Sequence, residues 1–442
     1  MREEGCTVHC TGKGRTMAFV KVSHLKPDML VCSDLKDRNG RLLVAAGTKL
    51  TEQHIRIIKI WGVVEADVGG ASEQDAVSLP DEASKPVILK AAEEAVTEQF
   101  RFNDRDNAII SELFTIGCRW KSAQMARNNS AGNAPQVPLG HGRAAPERGD
   151  APDGKPRTFQ DKPFDHIRKL IRQDIKLTTL PAIYTRINEA IMRPHSSSSD
   201  IADLISKDTS LAARLLKLVD SSFYGYPSRI GSLSRAVSIV GTNQLSMLAF
   251  GIDVAGAFKN IPSTYINMDS FWRHSIACGI IARLIAATKN IQNTERLFVA
   301  GMLHDIGRLV VYHYMPQCSV EILERARDTC SLLCRVEKEY LGGDHAEIGG
   351  MLLQIWKLPQ SLENAVRYHN MPRESQNGLE PAIVHIADVT AKAIGVGSSG
   401  DYFVPQLDGG AWKQVGLSVN GLEPIVDQTD HQLEETFRLF FK

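Results

Sequence analysis

The chain has 442 residues, a formal net charge of zero and 43% hydrophobic residues. That length predicts two or three folded units rather than one, and the balanced charge excludes a global pull toward nucleic acid or anionic lipid. No apolar run approaches the roughly 20 residues that span a bilayer. Met1 to Arg15 lacks the apolar core of a secretory signal, so a cytoplasmic protein with no membrane contact is expected.

Residues 17–70 predict a small β/α unit. Val20 and Val22 alternate with polar residues, and the apolar runs Leu30–Val31 and Leu42–Val44 flank Asp37-Arg38-Asn39-Gly40, where Asn-Gly predicts a hairpin turn. Gly47 ends the second run. Thr51 is placed to cap a helix carrying Ile55, Ile58 and Ile60, and Val63, Val64 and Val68 suit a return strand. Residues 84–125 form a helical segment, with Ala92, Val96, Phe100, Ile109, Ile110, Leu113 and Phe114 at helical spacing and a break near Asn103. Residues 126–163 hold repeated Asn, Ser, Gly, Pro and Arg with nothing to bury, which predicts a flexible linker.

From Phe164 onward helical periodicity dominates, so the fold class expected is mainly α: a helix bundle behind a small β/α unit and a linker. Asp200 and Asp208 suit helix N-caps, with Leu211, Leu215, Leu216 and Val219 on one face of the second helix. Leu233, Val237, Val240, Leu245, Leu248 and Phe250 continue the pattern. The last stretch, 396–442, opens with Gly-Ser-Ser-Gly and forms a C-terminal extension whose structure the pattern leaves open. Eight cysteines in so long a chain make no disulfide scaffold. Neither Cys6 with Cys10 nor Cys330 with Cys334 has a second pair at zinc-finger spacing, and Cys278 reads as a small core filler.

The informative residues are polar ones where apolar ones belong. Leu297 to Tyr312 is apolar nearly all round, predicting a buried helix, yet His304 and Asp305 stand in its middle. Burying a carboxylate costs several kcal/mol unless it is paired or bound to metal, and neighbours about 100° apart on a helix pair poorly with each other. Both therefore need partners from elsewhere. His274, His345, His369 and Asp388 each fall on the apolar stripe of another predicted helix, with His385 three residues before Asp388. Six of the chain's 13 histidines lie between 274 and 385. Any one of these is more often a satisfied core group than a ligand. Five helices each turning a histidine or aspartate inward instead suggest a mono- or dinuclear metal site, and imidazole with carboxylate suits Fe, Mn, Zn or Ni.

Leu303-His304-Asp305-Ile306-Gly307-Arg308, with His274 upstream and Asp388 downstream, resembles the H…HD…D signature of HD metal-dependent phosphohydrolases. The surrounding residues are closer to one branch. Leu180-Pro181, the Ile201–Leu218 helical pair, Ile230 to Gly241, Gly343-Asp-His345-Ala-Glu-Ile-Gly349, Trp356-Lys-Leu-Pro359 and Tyr368-His369 resemble the HD-related output domain, HDOD, over 164–395. Residues 17–70 also resemble the small β-unit that precedes HD-GYP proteins.

The resemblance implies that His274, His304, Asp305 and Asp388 bind a first divalent ion, with Asp305 bridging, and that His345 and His369 serve further metal. Fe, Mn or Zn would be the ion, and the site could be dinuclear. Two departures stand out. Asn370-Met371-Pro372-Arg373 follows His369 where HD-GYP enzymes have a second histidine, an acidic residue and then Gly-Tyr-Pro. Arg308 replaces the lysine usual after His-Asp-x-Gly, and it is a weak candidate for a catalytic role in steadying phosphate. The resemblance thus implies a bacterial-type signal-transduction regulator that binds metal, working with a signalling protein or a cyclic nucleotide and able to form a homodimer. An active phosphohydrolase cleaving a nucleotide or cyclic dinucleotide is the alternative. Direct nucleic-acid binding is not expected, since Arg229 and Arg235 are isolated and form no basic stripe.

Overall fold

The computed structural model describes residues 17–21, 25–36, 42–51, 54–55, 58, 65–69, 85–130, 163–173, 182–191, 193, 197–226, 229–258 and 266–441. They fall into two units, one of residues up to 81 together with 224–229, the other of 82–223 with 230–442. As the periodicity implied, the chain is mainly α with a small β unit.

In the first unit, β1 (Met17–Lys21), β5 (Glu65–Gly69) and β2 (Leu30–Val31) form an antiparallel sheet in the order β1-β5-β2. A second pair joins β3 (Leu35–Lys36) to β4 (Leu42–Val44). The expected hairpin partner of Leu42–Val44 was Leu30–Val31. The short β3 takes that place, and Leu30–Val31 turns to β5, putting Val31 and Val68 into one apolar core with Leu50 and Ile58. Residues 37–41, which include Asn39-Gly40, lie outside the described residues, as do Cys6 and Cys10. The Thr51 hydroxyl accepts the His54 N–H at 3.2 Å, the capping bond expected of it.

The second unit begins with α1 (Lys85–Gln99) and α2 (Ala108–Ser130), packed as a hairpin through Phe100 and Phe114. α2 runs on to Ser130, into the stretch expected as linker, and 131–162 lies outside the described residues. Then follow α3 (Pro163–Gln173), α4 (Ala182–Ile191), α5 (Ser198–Ser206), α6 (Thr209–Asp220), α7 (Leu233–Val240) and α8 (Thr242–Ala257). Asp208 caps α6 as expected. The cap of α5 is Ser197, and Asp200 is its reciprocal partner three residues on, because the Asp200 carboxylate accepts the Ser197 N–H at 2.7 Å. The pattern from Leu233 to Phe250 is broken by Gly241, whose φ of 100° suits glycine; α7 and α8 turn there by 113°. Among the described residues no single helix is long and apolar enough to cross a membrane.

The heart of the unit is α9 (Met268–Thr288) against α10 (Thr294–Leu303). Their backbones meet at two glycines: a Cβ on Gly301 would lie 2.8 Å from the Cys278 carbonyl oxygen, and one on Gly279 2.6 Å from that of Phe298. The remaining helices are α11 (Ile306–Tyr314), α12 (Pro316–Asp328), α13 (Leu333–Leu341), α14 (His345–Ile355), α15 (Gln360–Arg367), α16 (Leu379–Ala393), α17 (Gly409–Val415) and α18 (Leu422–Phe441). The stretch after 396 belongs to this unit. α18 packs on α9 and buries Phe437 and Phe440.

Candidate metal centre

The single buried helix expected over Leu297–Tyr312 is two helices. α10 ends at Leu303 and α11 begins at Ile306, with His304 and Asp305 in the turn between them. In an unbroken helix these neighbours would point about 100° apart. The break aims both at one centre, where His304 Nε2 lies 3.1 Å from Asp305 Oδ2.

Four more residues converge there. His274 comes from the first half of α9 and Asp388 from the middle of α16. His345 is the first residue of α14, held in place by the Asp344 cap, whose carboxylate accepts the Glu347 N–H at 3.1 Å. His369 does not ride on a helical stripe as expected. α15 ends at Arg367, and His369 sits in the turn that follows. So three helices and two interhelical turns, rather than five helices, supply the six side chains. Each of the six is at most 1% exposed.

His274 Nε2 lies 3.1 Å from Asp388 Oδ1, and His304 Nε2 3.3 Å from the same oxygen. On the far side of Asp305, His345 Nε2 lies 3.0 Å from Oδ1 and 3.3 Å from His369 Nε2. In three sets (His274, His304, Asp305; His304, His369, Asp388; Asp305, His345, His369) one ligand atom per residue lies within 4.8 Å of the others. Asp305 thus offers one oxygen to each half of the cluster.

The outward ring nitrogens favour ligation. His304 Nδ1 pairs with the Gly301 carbonyl at 2.7 Å, and His369 Nδ1 with that of Val366 at 2.7 Å. A carbonyl only accepts, so each Nδ1 carries a proton, which leaves each Nε2 as the nitrogen that faces the centre. His345 Nδ1 faces the Glu337 carboxylate, the arrangement that fixes and strengthens a metal-ligating imidazole. His304 Nε2 and Asp305 Oδ1, both buried, make no hydrogen bond of regular geometry, although they lie 3.1 Å from Asp305 Oδ2 and 3.0 Å from His345 Nε2. Buried polar atoms are rarely left so, and a cation would satisfy both.

Electrostatics agree. Three buried carboxylates, Asp305, Asp388 and Glu337, and the partly buried Asp401 face two permanent cations, Arg308 and Lys392. Burial opposes charge on His304, yet Asp305 and Asp388 outweigh it and hold the imidazolium well above its usual range. Burial would raise both ligand carboxylates. Arg308, His304 and His345 hold Asp305 well below the usual range, and Lys392 and His304 do the same for Asp388. His369, facing two other rings, is driven by burial and then by His304 and His345 down to about 3. In the metal-free chain the centre keeps its carboxylates charged and His369 neutral, as ligation requires, while His304 and His345 hold protons that a bound ion would displace.

Arg308 lies within this network as the most heavily bonded side chain. Its Nε donates to Glu337 at 3.1 Å, and its Nη1 to Ser399 Oγ at 2.7 Å, to Asp401, and more weakly to Asp305 at 3.5 Å. Lys392 donates to Asp388 at 2.7 Å and meets Asp401 at 3.0 Å. Lys392 was visible in principle, one turn after Asp388 on an apolar helix. Glu337, Ser399, Asp401 and Asn370, whose amide lies 3.3 Å from His345 Nε2, carried no such signal. Asn370 also lines a cleft of about 240 Å³ with Lys338, Asp344, Glu347 and Arg367.

A mainly helical unit with an enclosed His/Asp cluster is the arrangement that the resemblance to HD domains implied. Residues 165–372 match the HDOD domain model, so the chain carries an HDOD domain. An uncharacterized protein of Treponema pallidum (strain Nichols) is 30% identical over 209 residues, 47% of this chain; the match spans only 40% of that relative's length. The fold is similar to that of an HDOD domain protein of unknown function from Geobacter sulfurreducens (TM-score 0.52, 24% identity, 63% of this chain and 96% of that one). It is also similar to a Shewanella amazonensis SB2B protein whose name places it provisionally among phosphohydrolases (TM-score 0.50, 22% identity, 62% and 97%).

Proposed function

We propose that this chain is a signal-transduction regulator whose HDOD domain holds divalent metal without catalysing hydrolysis. The residues that would hold it are His274, His304, Asp305 and Asp388 on one side and Asp305, His345 and His369 on the other, with Fe, Mn or Zn suited to the donor set. A bound ion would supply positive charge to a cluster with more carboxylates than cations and fix the elements that meet there. Its output would go to a signalling protein or respond to a cyclic nucleotide.

The observation that carries the regulatory reading is the state of the two cations. Hydrolysis of a phosphate ester needs a positive group free to meet the charge that develops on the transferred phosphoryl. Arg308 and Lys392 both spend their charge on Asp401, and every metal-ligating side chain is enclosed.

The test is elemental analysis of the purified chain beside a His304→Ala/Asp305→Ala variant, with hydrolysis assays on cyclic and linear nucleotides in added Mn(II). One or two ions per chain, lost in the variant, with no phosphate ester cleaved, is the expected result. Metal-dependent cleavage would establish the phosphohydrolase alternative. A metal-free protein whose variant folds normally would remove the metal from the reading.

A further inference from the structure

We infer that the segment Gly395–Pro405 is a strap that couples the α1–α2 hairpin to the metal centre, with Asp401 as its positioning residue; this rests on the metal-binding reading above. The inference comes from what the two ends of the segment touch.

At one end the strap enters the centre. The Asp401 carboxylate bonds Arg308 and Lys392, and Ser399 Oγ accepts from Arg308 at 2.7 Å. Each of those cations also meets one ligand carboxylate, Arg308 reaching Asp305 and Lys392 reaching Asp388. Asp401 is thus one bond removed from both. The backbone here is fixed: Tyr312 donates its hydroxyl proton to the Ser399 carbonyl at 2.8 Å, and the Ser398 N–H reaches the Ser270 carbonyl at 3.2 Å. Gly397 has a φ of 64°, and a Cβ there would lie 2.2 Å from that same Ser270 oxygen, so only glycine lets the strap lie this close to α9.

The other end grips the hairpin. The Val404 N–H donates to the Gln99 carbonyl at 2.8 Å, and the Asn103 amide donates to the carbonyls of Val404 at 2.9 Å and Pro405 at 3.3 Å. Phe403 meets Phe102 edge-on at 5.3 Å between ring centres, with the Arg101 guanidinium 5.6 Å from the Phe403 ring centre. Two to four residues therefore separate Asp401 from the turn that joins α1 to α2. A hairpin that releases Val404 draws on Asp401. Without the Asp401 carboxylate, Arg308 and Lys392 turn an unbalanced positive charge on Asp305 and Asp388, which weakens their hold on a cation. Coupling of this kind is reciprocal, so metal must also tighten the hairpin turn.

The experiment follows amide hydrogen exchange of the full chain with and without Mn(II), with metal content measured on the same samples. In the wild type, Mn(II) is expected to slow exchange severalfold at residues 99–105 as well as at 399–405. Asp401→Asn is expected to bind Mn(II) about tenfold more weakly, as loss of a residue supporting metal ligands does. At saturating Mn(II) it is also expected to lose the response at 99–105, which a merely structural strap would keep. Should Asp401→Asn fail to fold, Asn103→Ala leaves every charge of the centre in place and is expected to lower both Mn(II) affinity and the exchange response. Metal bound without any response at 99–105, or variants with wild-type affinity and response, overturns the coupling alone. A wild-type chain that binds no metal removes the metal reading and the coupling together.

Discussion

Asp305 and His345 meet at 3.0 Å through Oδ1 and Nε2, while the other oxygen of Asp305 faces His304 at 3.1 Å. One carboxylate therefore belongs to both halves of the cluster, whereas His345 belongs to one. Asp305→Ala is expected to lower metal content to near zero. His345→Ala should retain the ion held by His274, His304 and Asp388. Elemental analysis separates the two, and equal losses in both variants would show that the halves do not fill independently.

Gly307 sets how close α11 comes to α14. A Cβ on it would lie 2.0 Å from the His345 carbonyl oxygen and 2.8 Å from the Gly349 nitrogen, both backbone atoms that cannot swing aside. Gly307→Ala should cost about 3 kcal/mol, in the range of overpacked cores, and displace His345 from the centre. A drop in the urea midpoint accompanied by lost metal is the expected pair of results. A variant of normal stability would show that the helices part without penalty.

Four of the six centre residues were legible because burial of charge leaves a mark: His274, His304, Asp305 and Asp388 stand where the residues around them are largely apolar, whereas His345 and His369 have polar neighbours. The supports of the centre were not legible. Asp401 lies in a glycine-rich irregular stretch with no period to break, and Glu337 sits on a helix of mixed polarity. The helix break at His304-Asp305 was hidden for a related reason. Both halves are apolar all round, so hydrophobicity runs through the turn unchanged and only the need to aim two neighbours at one point reveals it. The N-terminal hairpin misled through Asn39-Gly40, since turn chemistry locates a bend but does not say which of two short apolar runs pairs across it.

In the metal-free chain, burial and Arg308 oppose charge on His345, but Glu337 and Asp305 prevail and hold its pKa up to about 9, against an ordinary 6.5. A raised folded-state value means stability that is full below pH 6.5 and lost as pH climbs through about 9. The change is on the order of 3 kcal/mol. Urea titration of metal-stripped protein from pH 6 to 10 should show this decline, and His345→Gln should flatten it. A midpoint independent of pH in the wild type would contradict the assignment.

Asp253 on α8 gives the opposite use of the same sign. Burial first, then the nearby Asp208, raise its carboxyl to about 6 despite Arg214, from an ordinary 3.8. Stability associated with its protonated form is present below pH 3.8 and lost as pH rises through about 6. Asp253→Asn should therefore melt higher than wild type at pH 8 and converge with it near pH 4. Equal melting temperatures at both pH values would rule this out.

The enclosure of the six ligand residues has a consequence in time. An ion held among side chains no more than 1% exposed would leave only when the surrounding helices part, so its residence would be set by local unfolding rather than by diffusion. Metal exchange would then be slow beside the life of a signal. The ion a given molecule carries would record which metal was abundant when that molecule folded, and chelators added later would strip it only as fast as the domain breathes.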